Sequence, residues 1–316
     1  MNNIEPLLLS ERASNIPLYL HAYAYHLNMR FERLDPVDLL QIAYKNNLKG
    51  LKIHVEDGES KSLRKMDKES LNLFKSKASE YNLDIHIETS ASDKETLNEA
   101  IYIAESTGAT SVRFYPRYEG KLYDVLAKVS EDIDYLKQFD DCGLTFTIEQ
   151  HEDLKSHELV TLVKNSGMKN LSILYDFANM VNANELPLSA LETMAPYITQ
   201  VHIKDAKLLK ENLGWGHEAC RTGYGDIPIK DLLMRLLLLG KKDRQVIAFG
   251  LEEEVDYYAP AFRFDDEKGN PWIPWREASL TPLPKESELE IRLELEKQHA
   301  LEQIEYIKSL CKELSQ

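Results

Sequence analysis

The chain has 316 residues, 43% hydrophobic and 29% charged, with 53 acidic against 38 basic side chains and a net charge of −15. This composition supports a large core and excludes bulk disorder. The acidic balance, with no basic stripe, excludes a nucleic-acid backbone or an anionic membrane surface as the expected partner and leaves a small molecule.

The elements alternate along the chain. Strands are predicted at 18–23, 50–55, 84–89, 110–115, 144–150, 171–176, 198–203 and 245–252. Helix-period segments lie near 36–47, 67–81, 93–106, 121–138, 153–165, 188–194 and 229–239. Asp35-Pro36 supplies an N-cap and a first-turn proline for the first long helix, whose buried stripe is Leu39, Leu40, Ile42 and Ala43. Gly108 suits the left-handed position after the 93–106 helix. Residues 257–284 mix prolines, aromatics and charges without periodicity, and read as a long loop at the mouth of the fold. A final helix near 285–314 carries Leu301, Ile304, Ile307, Leu310 and Leu314 at helical spacing. Eight successive strand–helix units close a parallel barrel, so residues 1–316 are expected to form one (β/α)8 TIM-barrel domain. The 257–284 loop and the final helix are where a homo-oligomer would be built.

Three cysteines, Cys142, Cys220 and Cys311, form no CxxC pair, which argues against a disulfide framework. The apolar runs Leu7–Leu9 and Leu236–Leu239 are too short for a signal peptide or a membrane span. A cytoplasmic location is the expectation.

Strand parity places the side chains, because successive residues face opposite sides. Leu144, Phe146 and Ile148 oppose Thr145, Thr147 and Glu149. Leu171, Ile173 and Tyr175 oppose Ser172, Leu174 and Asp176. Val201 and Ile203 oppose Gln200 and His202. Ile247, Phe249 and Leu251 oppose Val246, Ala248, Gly250 and Glu252. The bulky faces should pack against the helices and the smaller, more polar faces should line the barrel. Each inner face then ends in a metal-capable side chain, Glu149, Asp176, His202 or Glu252, at the C-terminal end of its strand, where barrel enzymes place their chemistry. Three carboxylates at one point repel, and a divalent cation removes the conflict. With one imidazole the set suits Mn2+, Mg2+ or Co2+ and can accept Zn2+. Glu254 shares parity with Glu252 and is the alternative fourth ligand.

These residues, in TFTIEQHEDL, ILYDFANM, VHIKDAK and FGLEEEV, resemble the metal quartet of the xylose isomerase-like barrels, the sugar phosphate isomerase/epimerase group. The resemblance covers about residues 18 to 252 and is specific in the second half. It implies a sugar isomerase or epimerase in which Glu149 and Glu252 bind the metal and also move protons through a metal-stabilised enediolate. Arg221, in RTGYGDIPI, resembles the family's arginine and would contact a substrate oxygen or carboxylate. One position departs: the epimerases carry a histidine three residues after the metal aspartate, where this chain has Asn179. Some relatives are lyases, and a decarboxylase of an oxo sugar acid stays open as the alternative.

His54, Glu88 and Glu152 are the other preferred substrate contacts. Further candidates are His21, Tyr25 and His26 after the first strand, Glu56, His86, Arg113, and Lys204 with Asp205 after His202. An endonuclease IV-like nuclease is disfavoured by the acidic balance. A lone GxGxxA match at Gly214, Gly216 and Ala219 does not join a first strand to a helix, as dinucleotide binding requires. A non-catalytic sugar-binding protein would need no metal. No phosphate-binding cluster is visible in the letters, which points to an unphosphorylated sugar or a sugar acid.

Overall fold

Eight parallel strands close on themselves: β1 (Leu18–His21), β2 (Gly50–His54), β3 (Asp84–Glu88), β4 (Ser111–Phe114), β5 (Thr145–Glu149), β6 (Leu171–Asp176), β7 (Ile198–Ile203) and β8 (Ala248–Leu251). Each pairs with the next in the chain, and β8 returns to β1. The computed structural model describes residues 4–275 and 283–316, with the backbone alone at Ile4 and Glu5. The helices that surround the barrel are α1 (Ile4–Ser14), α2 (Pro36–Lys45), α3 (Lys68–Glu80), α4 (Lys94–Thr107), α5 (Leu122–Leu136), α6 (Ser156–Ser166), α7 (Pro187–Met194), α8 (Ile229–Leu237) and α9 (Leu289–Leu314). Among the described residues no helix is long and apolar enough to cross a membrane. All three cysteines are free thiols.

The helix boundaries follow from local chemistry. Asp35 Oδ1 accepts from the N–H groups of Val37 and Asp38 at 3.0 and 3.1 Å, and Asp38 Oδ2 accepts from the Asp35 N–H at 3.0 Å, a reciprocal cap that starts α2. Gly108 ends α4 at φ 71°. Helix α1, which the periodicity did not reveal, packs against α8 and α9. Its buried Arg12 donates to the carbonyls of Leu237, Leu239 and Gly240 at 2.6–2.9 Å and so caps the end of α8.

The expected faces hold along β5, β6 and β7, where Phe146, Ile148, Ile173, Tyr175, Val201 and Ile203 are fully buried under the helices. Two expectations are corrected. Ile247 precedes β8 and is 46% exposed, and Leu301 is 42% exposed on the outer side of α9. The buried stripe of α9 is Leu293, Ala300, Ile304, Ile307 and Cys311.

The barrel interior is polar. Lys52, with no exposed surface, donates from Nζ to Gln200 Oε1 at 2.6 Å, and Gln200 Nε2 donates to Ser111 Oγ at 2.7 Å. Gly250 makes room for this: a Cβ there would lie 2.7 Å from Lys52 Cδ and 3.1 Å from His202 Cδ2. Gly250→Ala is therefore expected to destabilise by about 1–3 kcal/mol through overpacking. The readout is a lower urea midpoint at unchanged m value, and an unchanged midpoint would contradict the tight packing.

Two features surround the mouth. Strands Asp205–Lys210 and Trp215–Cys220 form an unexpected hairpin that takes in Gly214, Gly216 and Ala219, and Tyr258–Ala259 adds a third strand to it. Trp272–Ile273 pairs with Gly120–Lys121 beyond β4. The segment expected as a loop is thus anchored at both places. Between them, buried Arg263 makes a two-pronged pair with Glu158 of α6 at 2.9 and 3.0 Å. Residues 276–282 of that segment lie outside the described residues.

Candidate functional site

Glu149, Asp176 and His202 are the last or near-last residues of β5, β6 and β7, and Glu252 follows β8 directly. All four are buried. Ligand atoms of Glu149, Asp176 and His202 lie within 4.8 Å of one another, and His202 belongs equally to a second such group with His21 and Glu88. Glu252 stands beside the first group, its Oε2 3.5 Å from His202 Nδ1, which is itself 3.7 Å from Glu149 Oε1.

One atom of each residue is left over. Asp176 Oδ1 accepts from the N–H groups of Ala178 and Asn179 at 2.8 Å each, which fixes the carboxylate and leaves Oδ2 without a hydrogen bond. Glu149 Oε1 accepts from Asn179 Nδ2 at 3.2 Å, while Oε2 has no hydrogen-bond partner and only an ion pair with Arg113 Nε at 3.0 Å. Glu252 Oε2 and His202 Nδ1 are buried without hydrogen bonds. His202 Nε2 sits 3.0 Å from Glu88 Oε1. A proton on Nε2 satisfies Glu88 and turns the Nδ1 lone pair toward the carboxylates, the usual way a carboxylate sets a ligating histidine. Buried polar atoms without hydrogen bonds are costly, and these four belong to the three carboxylates and one imidazole that a hard divalent ion takes. The residues present fit such an ion.

The charges balance around this centre. Burial pushes Glu149 up, but Arg113 and His202 outweigh it and hold its carboxyl at about 2. Burial is likewise overcome at Glu252, held at about 2 by Lys204 and the histidines. Asp176 is pushed up to about 7 by burial against the pull of Lys204. Burial lowers His202, but Glu88, Glu252 and Glu149 push it up to about 9. A proton on Nδ1 and a metal ion compete for the same lone pair. Lys204 Nζ lies 3.4 Å from Asp176, 3.6 Å from Glu252 and 3.8 Å from Glu254. Glu254 thus faces the lysine, and burial pushes its carboxyl up to about 8.

Above the quartet opens a cavity of about 520 Å³, large enough for a monosaccharide. His54 lines it. Its Nδ1 accepts from the Glu56 N–H at 3.1 Å and its Nε2 meets Ser90 Oγ at 2.8 Å, and burial lowers it to about 3. Glu152 lines it too, accepting from Tyr257 Oη at 2.7 Å. Two expected substrate contacts are placed elsewhere. Glu88 lies beneath the quartet, fully buried, and faces His21, His202, Lys52 and Arg113 rather than the cavity. Arg221 lies away from the cavity, paired with Glu302 of α9 and stacked 4.7 Å from the Tyr224 ring. The glycine-rich turn that follows it is held by Asp205, which accepts from the Gly223 and Gly225 N–H groups at 2.8 Å. Tyr257 and Arg117, which line the cavity, were not singled out from the letters. Tyr257 sits in the aperiodic segment, and Arg117 follows a proline beyond β4.

A family model described as a xylose isomerase-like TIM barrel matches residues 40–248. The chain is 60% identical over 317 residues to the uncharacterized protein YihM of Escherichia coli (strain K12), covering all of this chain and 97% of that one. Among solved structures, a xylose isomerase-like TIM barrel protein from Mycobacterium smegmatis in complex with magnesium superposes with a TM-score of 0.61 at 13% identity, over 96% of this chain and 99% of its own. A D-psicose 3-epimerase solved in the presence of D-fructose gives 0.55 at 14% identity, over 76% and 85%. At these identities the likeness to the solved structures is one of fold.

Proposed function

We propose, from the premise that the chain belongs to the xylose isomerase-like TIM barrel family, that it is a divalent-metal-dependent isomerase or epimerase of a sugar or sugar derivative. The observation that carries this reading is the set of four buried atoms without hydrogen bonds, one on each of Glu149, Asp176, His202 and Glu252, two of whose residues, Glu149 and Glu252, line a monosaccharide-sized cavity. These four residues would hold the ion. When bound, a divalent ion there supplies Lewis-acid stabilisation of negative charge on adjacent sugar oxygens.

The chain's own groups do the rest. Glu149, kept ionised by Arg113, takes the proton from the carbon next to the carbonyl. Glu252, on the other side of His202 Nδ1, returns a proton at the new position or face. Proton transfer by positioned carboxylates contributes on the order of 100- to 10,000-fold. Arg113 holds the Glu149 carboxylate in place through Nε, and Asn179 Nδ2 holds its other oxygen. His54 stays neutral and offers a polar edge to a sugar hydroxyl.

Metal analysis of the purified protein, followed by NMR of ketoses and sugar acids in deuterated buffer, tests this. About one Mn2+, Mg2+ or Co2+ per chain and exchange of a substrate C–H without carbon loss are expected. Released carbon dioxide would move the assignment to a lyase. No bound metal and no exchange across the panel would remove it.

A further inference from the structure

The cavity is divided by charge. The ends of β5 and β8 supply Glu149, Glu152, Glu252 and Glu254 to one half, where Lys204 after β7 is already committed to Asp176, Glu252 and Glu254. The half built beyond β1, β2 and β4 carries cations. Arg113 is committed there to Glu88 and Glu149, and Arg64 to Glu56 and Glu99. Among the described residues half-buried Arg117 is not committed: it lies 5.9 Å from the ring of Trp275, and its Nε is buried with no hydrogen-bond partner. Among the described residues neither Arg117 nor Lys65, an exposed residue that also lines the cavity, makes an ion pair. His26, which also lines the cavity, has a buried Nε2 without a hydrogen-bond partner. The acids nearby do not neutralise this wall. Glu56 pairs with Arg64, and Asp57 Oδ2 accepts the His54 N–H at 3.0 Å, while Glu59, like Lys65, lines the cavity from the solvent-exposed side.

A planar guanidinium with a desolvated, unused N–H is a costly arrangement unless an anion completes it. The acidic half of the cavity already serves the metal-capable quartet, so the anion must arrive with the ligand. We infer that Arg117, with Lys65 and His26, forms a subsite for a terminal carboxylate or phosphate, so that the substrate is an anionic sugar gripped at one end by this wall and presented at the other to the quartet. The inference rests on the sugar reading above and adds the charge of the substrate. It goes beyond the absence of a phosphate-binding cluster in the letters, because Lys65 and Arg117 stand 52 positions apart and line one cavity only in the folded barrel.

The test is calorimetric titration of the Mg2+-loaded protein with three ketoses of one skeleton: D-fructose, D-fructuronate and D-fructose 6-phosphate. One of the two anions is expected to bind at least about tenfold more tightly than fructose at low salt, as charge-assisted bonds to arginine imply. The tighter arm tells carboxylate from phosphate. Arg117→Gln should remove most of that preference and Lys65→Gln part of it, with circular dichroism confirming that each variant is folded. Two results would overturn the subsite: equal affinity for all three sugars in the wild type, or a preference that survives both substitutions. Inorganic phosphate is titrated separately into metal-free protein. Phosphate bound by the wild type and lost in Arg117→Gln, with no ketose bound at all, would keep the subsite and remove the sugar reading. Ketoses bound without regard to charge would do the reverse.

Discussion

Glu149→Gln is expected to give a folded protein whose turnover falls on the order of 100- to 10,000-fold. The substitution keeps the shape at the end of β5 and keeps an oxygen to accept from Asn179 Nδ2, now 3.2 Å away. Arg113 remains paired with Glu88, so no buried cation is stranded, but the amide NH2 then faces the Arg113 Nε donor in place of a carboxylate oxygen, and the thermal midpoint should fall. What disappears is the negative charge. The proposed base is gone, and the metal-capable set drops from three carboxylates to two. Initial rates with the best substrate from the NMR panel, measured beside a thermal melt, separate these effects. A variant with near-normal kcat would end the role of Glu149 as base, however well it still bound metal.

How much of this was legible depended on whether the deciding contact was local. The pairing of β6 with β7 slips by one residue between Ile173 and Leu174, but it is regular again up to Asp176 and His202, so period-two alternation placed Glu149, Asp176 and His202 on inner faces. Glu88 obeys the same alternation, yet its level in the barrel was not readable. In the pairing register Glu88 stands opposite Arg113, and Arg113 opposite Thr147. Glu88 is therefore level with a residue two positions before Glu149, one inward layer lower. This is the stagger that closing a barrel imposes, and it turns an expected substrate contact into a floor residue. Arg221 sits off the cavity for another reason: its partner Glu302 lies 81 positions later, on the outer helix α9, and no local pattern announces it. The 205–220 hairpin escaped because its strands alternate weakly and leave Lys207, Leu209 and Glu218 to solvent on their outer side. Lys52 and Lys204 have full meaning only with the acids that surround them, which come from strands far along the chain.

Glu88→Gln is expected to cost both stability and metal affinity, because both carboxylate oxygens already face donors. Oε1 lies 3.0 Å from His202 Nε2 and 3.5 Å from Lys52 Nζ. Oε2 lies 2.8 Å from His21 Nε2 and is paired with Arg113 Nη2. An amide can offer only one oxygen, so its NH2 must point at a donor in either orientation. Removing one partner of a buried, hydrogen-bonded charge cluster costs roughly 3–5 kcal/mol, and here Lys52 is left with Gln200 alone inside the barrel. The same change weakens the grip on His202 Nε2 that keeps Nδ1 free for an ion. Loss of such a supporting carboxylate lowers metal affinity by about 10- to 100-fold. Adding Lys52→Met to Glu88→Gln should recover part of the stability, since it withdraws the cation the first change abandoned, yet it should recover none of the metal affinity, which depends on His202. Urea unfolding of the two single variants and the double variant, with Mn2+ titrations alongside, separates the two roles. If Glu88→Gln unfolds at the wild-type midpoint and binds Mn2+ as the wild type does, then Glu88 neither balances the barrel interior nor orients the histidine above it.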